Sequence, residues 1–186
     1  MIITISGKAG AGKTTVAKLL SKMLNYEFIS GGQIRREFAK SKGLTIEELN
    51  NLRDKDKTSD IELDEFQKKL GKEKKNIIVE SRLGFHFIPN SFKIFLKVDP
   101  DVAAKRIFLE KRDTEPKRGS IEETKKALQE REENDKKTYK ELYGIDAYEE
   151  KHYDLVLDVS NMTSEQVASL ITEKLKNSLP RGFSND

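Results

Sequence analysis

Residues Gly7 to Thr15 read Gly-Lys-Ala-Gly-Ala-Gly-Lys-Thr-Thr, directly after the apolar run Ile2-Ile3-Thr4-Ile5. The stretch fits the G-x-x-x-x-G-K-[ST] phosphate loop in the setting it requires, a strand before and a helix after. Val16, Leu19, Leu20, Met23 and Leu24 continue at helical spacing, which argues against a mere glycine linker. Gly7, Gly10 and Gly12 let the backbone turn so that consecutive N–H groups, including those of Lys8, Ala9 and Ala11, face one phosphate chain. Lys13 then reaches the β- and γ-phosphates, Thr14 ligates Mg²⁺, and Thr15 follows at the positive end of the helix. The segment is therefore expected to bind a nucleoside triphosphate, ATP, with its magnesium.

A phosphate loop does not by itself say where the γ-phosphate goes. Transfer between two anions needs arginines around both chains. The sequence offers Arg35 and Arg36 after Ser30-Gly31-Gly32, Arg82 after the apolar run ending at Glu80, and Arg106, Arg112 and Arg118 around a polar stretch. Arg131 lies one helical turn before Asp135. No general base is required if the acceptor is itself a phosphate, whose oxygen is already largely ionised near neutral pH. Glu80, at a strand end, is placed to hold Mg²⁺; its alternative is an ion pair with Arg82. His86 and His152 are expected to pack rather than catalyse. No histidine cluster suggests zinc.

These groups need a scaffold. Besides the first strand, Tyr26 to Ile29, Asn76 to Glu80, Phe92 to Val98 and Asp154 to Val159 read as buried strands, with Ile77-Ile78-Val79 and Ile94-Phe95-Leu96 continuous apolar runs. Helical patterns fill the gaps. Thr45-to-Glu48, Ser59-to-Glu62, Ser120-to-Glu123 and Thr163-to-Gln166 carry the Ser/Thr-x-x-Glu/Gln signature of a helix start, and Asp99-Pro100 opens another. Strands alternating with helices predict a parallel α/β sheet. Residues 31–75 form one polar insertion and residues 106–144 a second, whose helix from Ser120 to Tyr143 has the wholly polar middle Arg131 to Lys137. Such a middle either turns inward over a phosphate site or lies exposed.

The chain has 186 residues, enough for one α/β domain with a real core. A net charge of +3 with 36% charged residues is a mixed surface, suited to small anionic substrates but too weak to argue for nucleic acid. No cysteine is present, which excludes disulfides and thiol chemistry. No leader-like or membrane-spanning run is apparent, so a cytoplasmic protein with no membrane partner is expected.

The order of Gly7-to-Thr15, Ser30-Gly31-Gly32-Gln33-Ile34-Arg35-Arg36-Glu37, Val79-Glu80-Ser81-Arg82 and Arg131-Glu132-Glu133 with Tyr139-Lys140-Glu141-Leu142-Tyr143-Gly144-Ile145-Asp146 resembles the short, archaeal-type cytidylate kinases. The resemblance runs from residue 1 to about 175 and is most specific in its last two stretches. It implies a P-loop kinase with a five-stranded parallel sheet flanked by helices, a single domain over 1–178, and a tail over 179–186. It also implies a monophosphate-binding insertion at 31–75, a lid and lid helix at about 106–144, and a monomer acting on nucleotides.

By position, Arg36, within the motif that includes Gly32, matches an arginine on the acceptor phosphate, as does Arg82. Asp135 matches a position facing the acceptor nucleoside. Arg106 and Arg112 match basic residues at the start of the lid, Arg131 matches a lid-helix position facing the phosphates, and Lys13, Arg82, Arg112 and Arg131 make the expected catalytic set. The implied reaction is phosphorylation of CMP or dCMP by ATP. Gln33, Ser81 and Thr138 depart from the family pattern, and Thr114 to Gly119 looks longer than the usual lid. Two alternatives stay open: a kinase for another small phosphorylated acceptor, and a nucleotide-dependent ATPase or switch.

Overall fold

In a computed structural model, residues 1–45, 48–49, 58–109 and 119–178 are described, the side chains of 58–60 and 178 excepted. Five strands carry the apolar runs: β1 (Ile2–Gly7), β2 (Glu27–Ser30), β3 (Ile77–Glu80), β4 (Phe92–Lys97) and β5 (Leu155–Asp158). All neighbours pair in parallel, in the order β2-β3-β1-β4-β5. The described helices are α1 (Lys13–Leu24), α2 (Gly31–Ser41), α3 (Thr58–Glu73), α4 (Gly84–Phe87), α5 (Pro100–Leu109), α6 (Ile121–Tyr143) and α7 (Ser164–Ser178).

The three inner strands are covered on both faces. Ile3, Ile5, Ile78, Ile94 and Leu96 pack with Val16 and Leu20 of α1 and Val167 and Ile171 of α7, all buried. Burying each such side chain stabilises the fold by about 1.5–3 kcal/mol, which is why short apolar runs suffice to fix these strands. The outer strands differ from the expectation of full burial. Leu155, Val156 and Leu157 are half-buried and Glu27 is exposed, because β5 and β2 lie at the sheet's two edges with a neighbour on one side only.

The helix-start signatures form where their side chains are described. Glu48 accepts from the Thr45 N–H at 2.7 Å while the Glu48 N–H reaches Thr45 Oγ1 at 3.2 Å. Ser120 Oγ accepts from the Glu123 N–H, and Thr163 with Gln166 forms the same reciprocal pair before α7. Asp99 Oδ1 accepts from the N–H groups of Asp101 and Val102 to start α5. The Ser59 side chain lies outside the described residues. Gly144, in the left-handed conformation, ends α6. Among the described residues no helix is long and apolar enough to cross a membrane.

Parallel pairing points every strand's carboxyl end the same way. The segments that follow β1, β2, β3, β4 and β5 therefore meet along one edge, where open α/β sheets hold their ligands.

Candidate active site

The loop after β1 closes over tight contacts. Gly7 has φ +141°, and a Cβ there would sit 2.2 Å from the Leu96 carbonyl oxygen. The neighbouring Lys8 N–H donates to that same oxygen at 3.0 Å, so the loop is stitched to β4 as it leaves the sheet. Gly10, at φ +78°, brings the loop against α5, where an added Cβ would meet the Ala103 side chain at 2.9 Å. Gly12 caps α1 in the left-handed conformation with no side-chain cap bond, so the first amides of α1 face the loop's mouth. Lys13 Nζ folds back and donates to the Lys8 carbonyl at 2.7 Å.

The register Ile5↔Glu80 sets the end of β3 beside the start of α1. Thr14 Oγ1 donates to Glu80 Oε2 across 2.9 Å, bringing together the two expected metal ligands. The alternative Glu80–Arg82 pair does not form. Arg82 Nη1 instead donates to Asp135 Oδ1 at 2.6 Å, and the Tyr148 hydroxyl donates to Asp135 Oδ2 at 3.0 Å. Burial alone lowers the Arg82 guanidinium's pKa, but Asp135 with Tyr139 and Tyr148 outweighs it and the net shift is upward. Burial and the Asp135 charge push the Tyr148 phenol above its ordinary range.

These groups face one cavity of about 830 Å³ lined by Gly7 through Val16, Ser30, Gly31, Gly32, Glu80, Ser81 and Arg82. Along α6, Leu128, Arg131, Glu132, Asp135, Tyr139 and Leu142 line it at helical spacing, whereas Glu133 and Lys137 are exposed. Both readings of the polar middle thus hold, one for each face of the helix. Glu132 lies 3.4 Å from Lys8 Nζ and 2.9 Å from Lys136 Nζ, which ties α6 to the phosphate loop.

The two arginines of α2 are placed differently. Arg35 lines the cavity and Arg36 does not; Arg36 is exposed, although its Nη1 passes 3.5 Å from the Cβ position of Gly32. Helix α2 buries Ile34 and Phe38, and Gly31, Gly32 and Arg35 line the cavity with Arg36 beside Gly32. Gln33 donates to Glu37 at 3.0 Å along the helix and does not enter the cavity wall. Arg106 lines the cavity too. Its Nη2 donates to the carbonyls of Val159 and Ser160 at 3.0 and 3.1 Å, pinning the turn after β5. Arg112 and Arg118 lie outside the described residues.

Asp64 and Gln67 of α3 and Tyr143 of α6 line the same cavity and were not singled out by sequence. Only their i, i+3 spacing on a polar helix distinguishes Asp64 and Gln67, a weak signal. The histidines pack as expected: His152 stacks on Phe85 at 5.2 Å, and His86 lies 5.0 Å from Phe87, ring to ring.

A five-stranded parallel sheet of this order, with a phosphate loop between β1 and α1, is a P-loop kinase fold. The cytidylate kinase-like family model matches residues 2–161, and the chain belongs to that family. It is 34% identical to the cytidylate kinase of Methanobrevibacter smithii, across 95% of this chain and 99% of that protein. It is 40% identical to an S-adenosylmethionine-dependent nucleotide dehydratase of Lacinutrix mariniflava, across 95% of this chain but only 36% of that protein's length. Among solved structures, shikimate kinase from Bacteroides thetaiotaomicron superposes with a TM-score of 0.66 at 19% identity, covering 95% of this chain and 98% of that one, a likeness of fold.

Proposed function

We propose that the protein transfers the γ-phosphate of ATP to a nucleoside monophosphate, CMP or dCMP. One observation carries this reading: the phosphate loop, Arg35 and Arg82 line one and the same cavity. Its donor side, beyond the loop, is walled by Ala103, Ile107, Leu128, Met162 and Val167, an apolar slot for a base.

Lys13 and the loop amides hold the transferring group, and Arg82, Arg35 and the nearby Arg36 hold the acceptor phosphate beside Gly32. Arg131 neutralises charge from the α6 side, and Arg112 is given a like role by the family resemblance alone. An acceptor phosphate oxygen forms the new bond to the γ-phosphorus as the bond to the β,γ-bridging oxygen breaks, leaving ADP. Asp135 holds Arg82 in position until the acceptor arrives, and then orients toward the acceptor nucleoside.

Thr14 and Glu80 suit magnesium. Among the described residues no cluster of three or more acidic, histidine or cysteine groups exists to hold a metal. One carboxylate and one hydroxyl beside a polyphosphate site are what a hard, water-retaining cation uses. When bound, the ion supplies charge neutralisation between the β- and γ-phosphates.

The dehydratase relative favours a second reading, a kinase for another nucleotide that accompanies nucleotide dehydration. A coupled assay of ADP formation against CMP, dCMP, UMP, AMP and GMP separates the two. Turnover with CMP or dCMP, lost in Arg82→Ala, supports the first. Turnover with a different monophosphate moves the acceptor, and ATP hydrolysis indifferent to every monophosphate overturns the kinase reading.

A further inference from the structure

The acceptor half of the cavity has a polar wall that phosphate chemistry does not use. Asp64 and Gln67 stand one helical turn apart on α3 and are 9% and 8% exposed. Burying a carboxylate and an amide costs free energy unless they are paired or meet a ligand. Asp64 Oδ2 accepts from the Tyr143 hydroxyl at 2.9 Å, which ties α3 to the end of α6. Gln67 Oε1 accepts from the Ser81 hydroxyl at 3.4 Å, and the Ser81 carbonyl accepts from Ser6 Oγ at 2.7 Å, anchoring that contact to β1. Leu63, Leu83 and Phe87 add apolar surface around them. A flat, heteroaromatic group with a hydrogen-bonding edge suits such a wall.

We propose that Asp64 and Gln67 read the pairing edge of the acceptor base, selecting an amino group next to a ring-nitrogen acceptor, as cytosine presents, over the keto edge of uracil. The assignment deepens the monophosphate-kinase reading and rests on it. An ionised carboxylate only accepts hydrogen bonds, and its two oxygens can accept several at once. It suits an exocyclic NH₂ and repels a carbonyl oxygen at the same place. Gln67, its carbonyl turned to Ser81, presents its NH₂ to the ring nitrogen; uracil's N3–H would meet that donor head-on. Tyr143 and Ser81 are positioning residues, each fixing one reader. This also gives Ser81 a role, since a glycine there would leave the Gln67 amide without its partner.

The test compares CMP and UMP on the full-length chain, both by turnover with ATP-Mg and by calorimetric binding of each monophosphate. Asp64→Asn keeps size and can still accept from Tyr143, but offers an NH₂ where the carboxylate stood. The CMP-over-UMP preference is expected to fall by about tenfold or more, with UMP use retained or raised. Gln67→Met, similar in shape, should lower the same ratio and serves where Asp64→Asn fails to fold; Tyr143→Phe should lower it less. A ratio unchanged in folded Asp64→Asn and Gln67→Met, with both monophosphates weakened alike, overturns the proposal. If the wild-type chain turns over no monophosphate, the kinase reading fails on its own. The base reader then stands only if calorimetry still shows CMP bound above UMP and that difference vanishes in the variants, and it falls if both bind equally or neither binds.

Discussion

The Arg82 guanidinium and the Asp135 carboxylate meet across 2.6 Å, joining the segment after β3 to the middle of α6. Both residues line the cavity, and Tyr148 closes the second carboxylate oxygen. In the proposed reaction, a monophosphate bound by Arg82 would share or replace that contact, so the same arginine would respond both to α6 and to the acceptor. Arg82→Ala is expected to lower kcat/KM for the acceptor by about 10- to 150-fold, the range for one charged hydrogen bond. Asp135→Ala should cost less in binding of the monophosphate and more in kcat. Steady-state kinetics over a monophosphate titration distinguish the two patterns.

The Thr14–Glu80 hydrogen bond at 2.9 Å predicts a joint metal phenotype. Glu80→Gln keeps the shape and removes the charge, so the Mg²⁺ concentration for half-maximal turnover should rise severalfold. ATP affinity without magnesium should change little. An unchanged magnesium titration would remove Glu80 from the metal site.

Gly7 leaves no room for a side chain, with a Cβ placed 2.2 Å from the Leu96 oxygen. Gly7→Ala should push the loop off β4, weakening ATP binding and lowering the melting temperature together. Lys13→Ala, by contrast, should lower kcat by about 100- to 1000-fold with melting little altered. Calorimetric ATP binding beside thermal denaturation separates these two losses.

Thr4 Oγ1 and Ser91 Oγ share a buried hydrogen bond of 2.9 Å, and Ser91 itself donates to the Ile88 carbonyl. Thr4→Val keeps the shape and removes the donor. It should destabilise the fold by about 1 kcal/mol, a fall in melting temperature of roughly 2–4 °C, with catalysis unaffected.

Burial, with the charges of Lys68 and His152 nearby, holds the His86 pKa below its usual value. The unfolded chain therefore binds the proton more readily. Stability from His86 is complete above the ordinary histidine pKa of about 6.5 and declines as pH falls through that value toward the lowered one. His86→Gln should flatten the fall in melting temperature between about pH 7 and pH 5.

The sheet and the phosphate loop were legible because their signals are local. Continuous apolar runs name the inner strands, and glycine spacing names the loop. Edge position was not legible in β5: Leu155-Val156-Leu157 reads like Ile77-Ile78-Val79, and only strand order decides which is covered. Arg35 and Arg36 are neighbours in one motif, and that Arg35 lines the cavity while Arg36 lies beside Gly32 follows from the folded helix, not from the motif. Asp135 was assigned by resemblance, but its partner Arg82 lies 53 residues away and no local pattern joins them. Asp64 and Gln67 stayed hidden because a buried polar pair and an exposed one look alike along a single helix.

Arg106 reaches from α5 to the carbonyls of Val159 and Ser160, while Gly7 abuts β4 and Glu80 of β3 meets Thr14. Segments more than 150 residues apart thus hold one loop in shape. The binding surface is a cooperative property of the completed sheet, so no fragment lacking β5 should keep it. Ligand affinity and global unfolding are linked by mass action: a nucleotide at a hundred times its Kd should raise the whole molecule's stability by about 2.7 kcal/mol. The melting curve of the intact chain is therefore itself a reporter of which nucleotide it prefers.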